Sequence, residues 1–349
     1  MKSSKEFVLG IETSCDDTSV ALVKSSGEVL ALKKWTNDED HIPFGGIIPE
    51  RASRNHLKNL VPLIDKILEE NGVGGESLKG IAVTNRPGLQ GSLIVGVLTA
   101  QTLGALLNVP VVGVNHLEGH MQSPWLVDQG EEVREDVYPQ MSLIVSGGHT
   151  QLVYIEKFGS YKILGRTKDD AVGEAIDKFS NVIGLGFPGG PKVDKAAQSG
   201  KSDAYAFPRP MIREQSYDFS FSGLKAAGVR LVEKMLEDKS LSKEQVNDLS
   251  ASYLTSAVDV LIYKLEKALA EYQPKVFSIV GGVSANSMLR QRALELSKRV
   301  ETPLLTAEMK YCTDNGAMIA LAGAKRLDLN LEVSDKFETY ARSLPGDFS

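Results

Sequence analysis

One order of elements occurs twice in this chain, and that repeat constrains its fold more than any single motif. "KGIAVTNRPGLQGSLIVGVLTAQTLG" reads as strand, glycine loop and helix, and "KVFSIVGGVSANSMLRQRALELSK" repeats the pattern. Upstream of the first lie three short apolar runs, "FVLGIET", "SVALVKS" and "EVLALKKW", joined by turn residues. "MSLIVSG", "TQLVYIEK" and "YKILGRT" repeat that triplet from Gln140 onward. Helical spacing of Leu57, Leu60, Ile64 and Leu68 predicts a helix over 52–70, and another is expected over 243–271. Strand triplet, helix, strand, helix, twice over, describes a duplicated α/β lobe.

The acidic segment "VDQGEEVRED" is the natural joint between the copies. Residues 1–126 are therefore expected to form an N-terminal lobe carrying the histidine pair "HLEGH". Residues 137–349 should form a second lobe with the glycine loops, from which the C-terminal helix could pack back on the first. Such lobes would face each other across a cleft, with ligands at loops leaving the strand ends.

The chain has 349 residues, 42% hydrophobic and 24% charged, as expected of a soluble two-domain protein. Two cysteines, Cys15 and Cys312, offer no pairing framework and fit a reducing compartment. The start "MKSSKEFVLG" has no apolar leader, and no other apolar run reads as membrane-spanning, so a cytoplasmic protein without a membrane partner is expected. A net charge of −6 argues against nucleic-acid binding by global electrostatics. A nucleic-acid substrate would need a local basic patch or partner proteins.

Three segments place glycines beside a strand or helix start: "IVSGGHT", "GFPGGPKVD" (with a helix expected from Pro191) and "IVGGVSAN". Their backbone N–H groups could bind a phosphoester, or the glycines could simply permit tight turns. No P-loop is present, and no G-x-G-x-x-G follows the first strand. Asp177 and Asp194 flank the Gly-Gly segment and could accept ribose hydroxyls, or Asp177 could be a solvated helix residue. Asn286 could bond a base or ribose, or cap its helix.

On a helix His116 and His120 stand one turn apart on one face, so they could share a metal or be two solvated imidazoles. Asp314 in "YCTDNGAMIAL" could supply a third ligand or cap the C-terminal helix. Two imidazoles and a carboxylate suit Zn²⁺, or Fe²⁺ with open positions. In the metalloprotease order H-E-x-x-H the glutamate works beside the metal. Here Glu118 follows His116 by two residues and projects about 200° away, so a peptidase would lack its base.

Together "GIETSCDDTSVALV", "HLEGH", "VSGGHTQL", "DDAVGEAIDK", "GFPGGPKVDKAA", "FSFSGLK", "VGGVSANSMLR" and "YCTDNGAMIA" resemble the bacterial TsaD family, in the family's order from about Val8 to Leu327. These are tRNA N6-adenosine threonylcarbamoyltransferases, once labelled O-sialoglycoprotein endopeptidases. The resemblance implies duplicated actin-like lobes (ASKHA-type, RNase H-like). It implies transfer of threonylcarbamoyl from L-threonylcarbamoyladenylate to a tRNA adenosine, with release of AMP. By matching motifs, His116, His120 and Asp314 would hold one divalent metal, Fe²⁺ ahead of Zn²⁺. Ile144, Val145, Ser146, Gly147, Gly148, Asp177, Gly190, Asp194 and Asn286 would line the adenylate site. Glu12 and Asp17 are candidates for taking the amine proton, or they shape the first turn. Partners implied are tRNA, a TsaB-like paralogue and a TsaE-like ATPase, with the adenylate from a TsaC-type synthase.

Arg86 departs from the family's Gly-Pro-Gly-Leu segment, which should reshape that loop or add an anion contact. "YAFPRPMIREQSYDFSFSGLK" could meet substrate or form a buried aromatic cluster. Arg290, Arg292, Lys298 and Arg299 make a basic helix face that could bind tRNA or simply be solvated. The alternative activity is that of an ATP-dependent phosphotransferase or ATPase on the same superfold. A metallopeptidase and a non-catalytic scaffold are further alternatives.

Overall fold

A computed structural model describes residues 5–36, 46–237, 240–331 and 337–343. Turn residues join β1 (Phe7–Glu12), β2 (Thr18–Lys24) and β3 (Glu28–Trp35) into an antiparallel meander. β4 (Leu78–Arg86) lies parallel to β1, β5 (Val111–Asn115) parallel to β4, and β6 (Val127–Asp128) parallel to β3. The sheet order is β5-β4-β1-β2-β3-β6.

Residues alternate by size along the central strands of this sheet. Leu9 and Ile11, Val20 and Leu22, and Ile81 and Val83 point to one face, where Leu60, Ile64 and Ile67 of helix Pro49–Asn71 complete a core. Gly10, Ala21, Gly80 and Ala82 point to the other. That flat face takes the helix Gly316–Asp328 at very short range. A Cβ on Gly10 would lie 2.1 Å from the Gly316 carbonyl oxygen and 2.7 Å from Ala320 Cβ, and one on Gly323 would lie 2.2 Å from Ala82 Cβ. Gly316, Ala320 and Gly323 share a helix face, so small residues meet small residues and the two backbones approach closely.

This packing corrects the expected boundaries. Among the described residues, those up to Asp136 and those from Ala307 onward form one unit, and Val137–Thr306 forms the other. Asp314 therefore belongs with the histidine pair and not with the glycine loops, and the acidic joint belongs to the first unit. Residues 344–349 of the expected second lobe lie outside the described residues.

In the second unit, β7 (Gln140–Val145), β8 (Thr150–Lys157) and β9 (Ser160–Arg166) form the second meander. β10 (Val276–Val280) runs parallel to β7, and β11 (Leu304–Leu305) parallel to β10. The order β11-β10-β7-β8-β9 repeats β5-β4-β1-β2-β3, strand for strand. The long helix spans Lys243–Tyr272, started by a capping box between Ser242 and Gln245. The stretch 205–225 resolves into the buried aromatic cluster: Phe207, Phe219 and Phe221 are in the core, and Phe207 meets the stacked pair Phe179–Tyr253.

One helix corrects the reading of apolar runs. Gln90–Leu107 has 18 residues and mean hydropathy 1.4, enough by length and composition to cross a membrane. Its Val95, Val97 and Ala100 belong to the first unit's core.

Candidate functional site

β5 ends at Asn115, whose side chain accepts from Leu117 N–H at 2.8 Å and starts the helix His116–Gln122. That cap fixes the helix phase, and the two imidazoles stand with ring centroids 4.6 Å apart and nearly perpendicular. Every residue of this helix is buried, so the solvated-imidazole alternative fails.

Asp314 does not cap the C-terminal helix. Asn315 does, accepting from Met318 N–H at 2.9 Å while its amide donates to the Thr313 carbonyl at 2.7 Å. The Asp314 carboxylate is thereby turned to the histidines. Its Oδ1 lies 3.1 Å from His120 Nε2 and 3.5 Å from His116 Nε2. Ligand atoms of the three residues lie within 4.8 Å of one another. Two neutral-capable imidazole nitrogens and a carboxylate converging in a buried setting fit a divalent metal such as Zn²⁺ or Fe²⁺. The Asp314 side chain is 26% exposed while those of His116 and His120 are 8% and 0%, so the group is reached from the carboxylate side.

Glu118 points away, as the helix geometry required. Its Oε2 accepts from Arg326 Nε at 2.6 Å, a nearly fully buried ion pair with the C-terminal helix. Its role in the structure is to hold two helices together.

The electrostatics follow from the burial. Desolvation pushes His116 down, but the Asp314 and Glu12 carboxylates outweigh it and hold the imidazole at about 9. Burial also lowers His120, helped by the charge on His116. Burial opposes ionisation of Asp314, yet the two histidines hold it well below the usual carboxylate range. A metal held by these three residues would have to displace one proton, from His116. Zn²⁺ affinity is expected to rise about tenfold per pH unit from pH 7 towards about 9 and then level off, as titration against a competing chelator would show.

The first turn holds the two candidate acid–base residues in different states. Both oxygens of the Glu12 carboxylate are engaged, by Ser14 N–H at 2.5 Å on Oε1, and by Thr84 Oγ1 at 2.6 Å and His116 Nδ1 at 2.9 Å on Oε2. Asp17 pairs with Lys34 at 2.5 Å through Oδ2, while its buried Oδ1 has no hydrogen-bond partner among the described residues. Burial, against the pull of Lys34, raises Asp17 to about 7.

The second unit gathers the glycine loops at the C-terminal ends of β7 and β10. Ser146 N–H donates to the His149 carbonyl at 2.8 Å, closing the turn that presents Gly147 and Gly148. Gly281 has φ +91°, and a Cβ there would lie 2.5 Å from the Val145 carbonyl oxygen, so only glycine fits where the two loops meet. Among the described residues, and apart from chain neighbours, no heavy atom lies within 4 Å of where a Cβ would stand on Gly147, Gly148 or Gly190, which leaves room for a ligand against their backbones. Ile144 and Val145 are fully buried, so they can offer only backbone groups.

The two aspartates hold this framework together. Asp177 Oδ1 accepts from Gly189 N–H at 2.8 Å and Gly190 N–H at 3.3 Å, tying down a helix that starts at Gly189, two residues before the expected Pro191. Asp194 Oδ1 accepts from Asn286 Nδ2 at 2.9 Å and Ser287 Oγ at 2.7 Å. Asn286 Oδ1 caps its own helix through Leu289 N–H. The structure thus makes two sets, His116, His120, Asp314, Glu12 and Asp17 in the first unit and the glycine loops with Asp177, Asp194 and Asn286 in the second.

A family model described as TsaD, tRNA N6-adenosine threonylcarbamoyltransferase, matches residues 28–321. The chain belongs to the TsaD family. The tRNA N6-adenosine threonylcarbamoyltransferase of Bdellovibrio bacteriovorus is 49% identical over 323 residues, 92% of this chain and 93% of its own. That of Desulfitobacterium hafniense is 44% identical, over 91% and 92% of the two chains. Among solved structures, the activator of the 2-hydroxyisocaproyl-CoA dehydratase from Clostridium difficile, with bound ADPNP, superposes with TM-score 0.51. It covers 93% of this chain and 96% of its own at 11% identity, a likeness of fold alone. The fold is the duplicated, actin-like one.

Within this TsaD chain, Arg86 stands opposite Asn115, and the strand slips register between Thr84 and Arg86. Its guanidinium is buried and donates to Asn85 Oδ1 at 2.9 Å. A C-terminal strap over 337–343, which the sequence did not announce, lies along this loop. Tyr340 N–H donates to the Asn85 carbonyl at 3.0 Å, and Gln90 Nε2 donates to Thr339 Oγ1 at 2.6 Å. Two of the four basic residues on the helix face are in ion pairs, Arg292 with Asp259 at 2.6 Å and Arg299 with Glu266 at 2.9 Å, while Arg290 Nε donates to the Ser284 carbonyl.

Proposed function

We propose that this chain transfers the threonylcarbamoyl group from L-threonylcarbamoyladenylate to N6 of adenosine 37 in tRNAs that read ANN codons, giving the modified nucleoside and AMP. The observation that carries the reading is the convergence of His116, His120 and Asp314 in a chain of this family. The donor is a mixed carboxylic–phosphoric anhydride and already activated, so no covalent protein nucleophile is needed. Fe²⁺, with Zn²⁺ as the second choice, held by His116, His120 and Asp314, would supply Lewis-acid polarisation and charge neutralisation. Backbone N–H groups at Gly147 and Gly148 would bind the adenylate phosphate, Ser146 and Gly190 would line the site beside them, and Ile144 and Val145 would contribute backbone alone. Asp177, Asp194 and Asn286 would exchange part of their present bonding for the ribose and base. The rest of the catalysis is orientation of a weak amine nucleophile.

Asp17 is the better of the two candidate bases, since both Glu12 oxygens are engaged and Asp17 Oδ1 has no hydrogen-bond partner among the described residues. A group raised to about 7 suits proton transfer near neutrality. In the pH profile of transfer, activity should fall on the acid side of about 7, and Asp17→Asn should lose that limb and about 10²-fold in rate. An unchanged limb in the variant would assign it to another group.

The chain's net charge of −6 supports tRNA binding that relies on partners. A TsaB-like paralogue suits the exposed apolar residues Leu57 and Val61 on one helix and Ile94 and Leu98 on its neighbour. Co-elution of the two chains, lost in Val61→Asp, tests that placement. A TsaE-like ATPase would join them, and a TsaC-type synthase would supply the adenylate in the cytoplasm. Transfer of labelled threonylcarbamoyl to unmodified tRNA tests the function as a whole.

A further inference from the structure

We infer that Glu12 is a positioning residue of the metal centre: with a metal bound, it keeps the remaining His116 proton on Nδ1, so that Nε2 is the nitrogen presented beside Asp314 and His120. The inference rests on the metal reading of those three residues and deepens it.

The juxtaposition follows from strand order. β1, β4 and β5 are parallel neighbours, with Ile11 beside Val83 and Thr84 beside Val114. Their C-terminal ends therefore bring Glu12, Thr84 and His116 side by side. Glu12 is 1% exposed, and its Oε2 lies 2.9 Å from His116 Nδ1. Ser14 Oγ is a second polar atom near the same nitrogen, at 3.1 Å.

Glu12 meets three groups, two of which can only donate or are placed to do so. Ser14 N–H must donate to Oε1, and Thr84 Oγ1 donates to Oε2 at 2.6 Å. A carboxylate satisfies both and still accepts from His116 Nδ1–H. A glutamine in the same place could not. With its oxygen towards His116, its NH₂ would face the Ser14 N–H donor. With its NH₂ towards His116, Nδ1 would have to accept, and the proton would sit on Nε2, the nitrogen aimed at Asp314. A carboxylate behind a ligating imidazole fixes both ring orientation and tautomer, and losing it typically lowers metal affinity about 10- to 100-fold.

The test is Zn²⁺ affinity by chelator competition for the full chain, its Glu12→Gln variant and its Ser14→Ala variant. Long-range ¹H–¹⁵N spectra of selectively labelled histidines accompany it. Glu12→Gln should bind Zn²⁺ about 10- to 100-fold more weakly, with Ser14→Ala affected less. In Zn²⁺-loaded wild type, His116 should carry its proton on Nδ1. Equal Zn²⁺ affinity in Glu12→Gln would overturn the inference while leaving the metal site standing. Ligation of His116 through Nδ1 in the wild type would do the same, even where the glutamine variant fails to fold. Wild type that does not bind Zn²⁺ at all would remove the metal reading, and this inference with it.

Discussion

His120→Ala is expected to lose the bound metal and at least about 10²-fold in transfer rate, while still unfolding as a cooperative protein. The side chain is wholly buried, and its Nε2 is the nearest of the candidate nitrogens to Asp314, at 3.1 Å. Removing it leaves two ligands, one of them His116, which then pairs as a cation with Asp314 and Glu12 and resists metal entry. Charge stabilisation by a catalytic metal supplies several kcal/mol, so its loss corresponds to two or more orders of magnitude in rate. Metal analysis of the purified variant, beside its melting curve and single-turnover transfer, separates loss of metal from loss of fold. Full activity without bound metal would show that the three residues serve structure alone.

The second large effect concerns stability. Arg326→Ala, or Glu118→Ala, should cost about 3–5 kcal/mol, because either breaks a buried ion pair by removing one of its two members. The pair joins the histidine helix to the helix that lies on the small-residue face of the first sheet, so its loss loosens both supports of the metal group. Replacing both residues together by apolar side chains of similar volume should recover most of the loss. Denaturant midpoints of the three variants decide this. A selective loss of chemistry in Glu118→Ala, with unchanged stability, would instead return Glu118 to the catalytic role that its helix phase denies it.

Much of this architecture is legible in the residues themselves. The repeated strand and helix pattern gives both sheets, because short apolar runs with turn residues between them have few other solutions. The spacing of His116, Glu118 and His120 is enough to place the glutamate opposite the imidazoles. Other features depend on contacts between distant segments. The return of the C-terminal helix was foreshadowed by Gly10, Ala21 and Ala82 opposite large neighbours, and by Gly316, Ala320 and Gly323 one helix face apart. That pattern means close packing only once the two are known to meet. Glu12 reads in "IETSCDD" as a candidate for taking the amine proton or for shaping the first turn, and strand order alone reveals it beside Thr84 and His116. Asp314 and Asn315 are adjacent polar residues before a helix, and sequence cannot say which one caps it. The strap over 337–343 carries no periodicity and is fixed by backbone hydrogen bonds to the loop at Asn85. The basic helix face looked available in sequence because its acidic partners, Asp259 and Glu266, lie on another helix.

The most direct measurement is a reconstitution of the metal-loaded chain with purified L-threonylcarbamoyladenylate, unmodified tRNA and the partner proteins, with nucleosides analysed by mass spectrometry. The expected result is N6-threonylcarbamoyladenosine in the tRNA and AMP in equal amount, both lost in His120→Ala. No modified adenosine from the wild type, with ATP instead turned over in the absence of tRNA, would contradict the account and favour a phosphotransferase on the same fold.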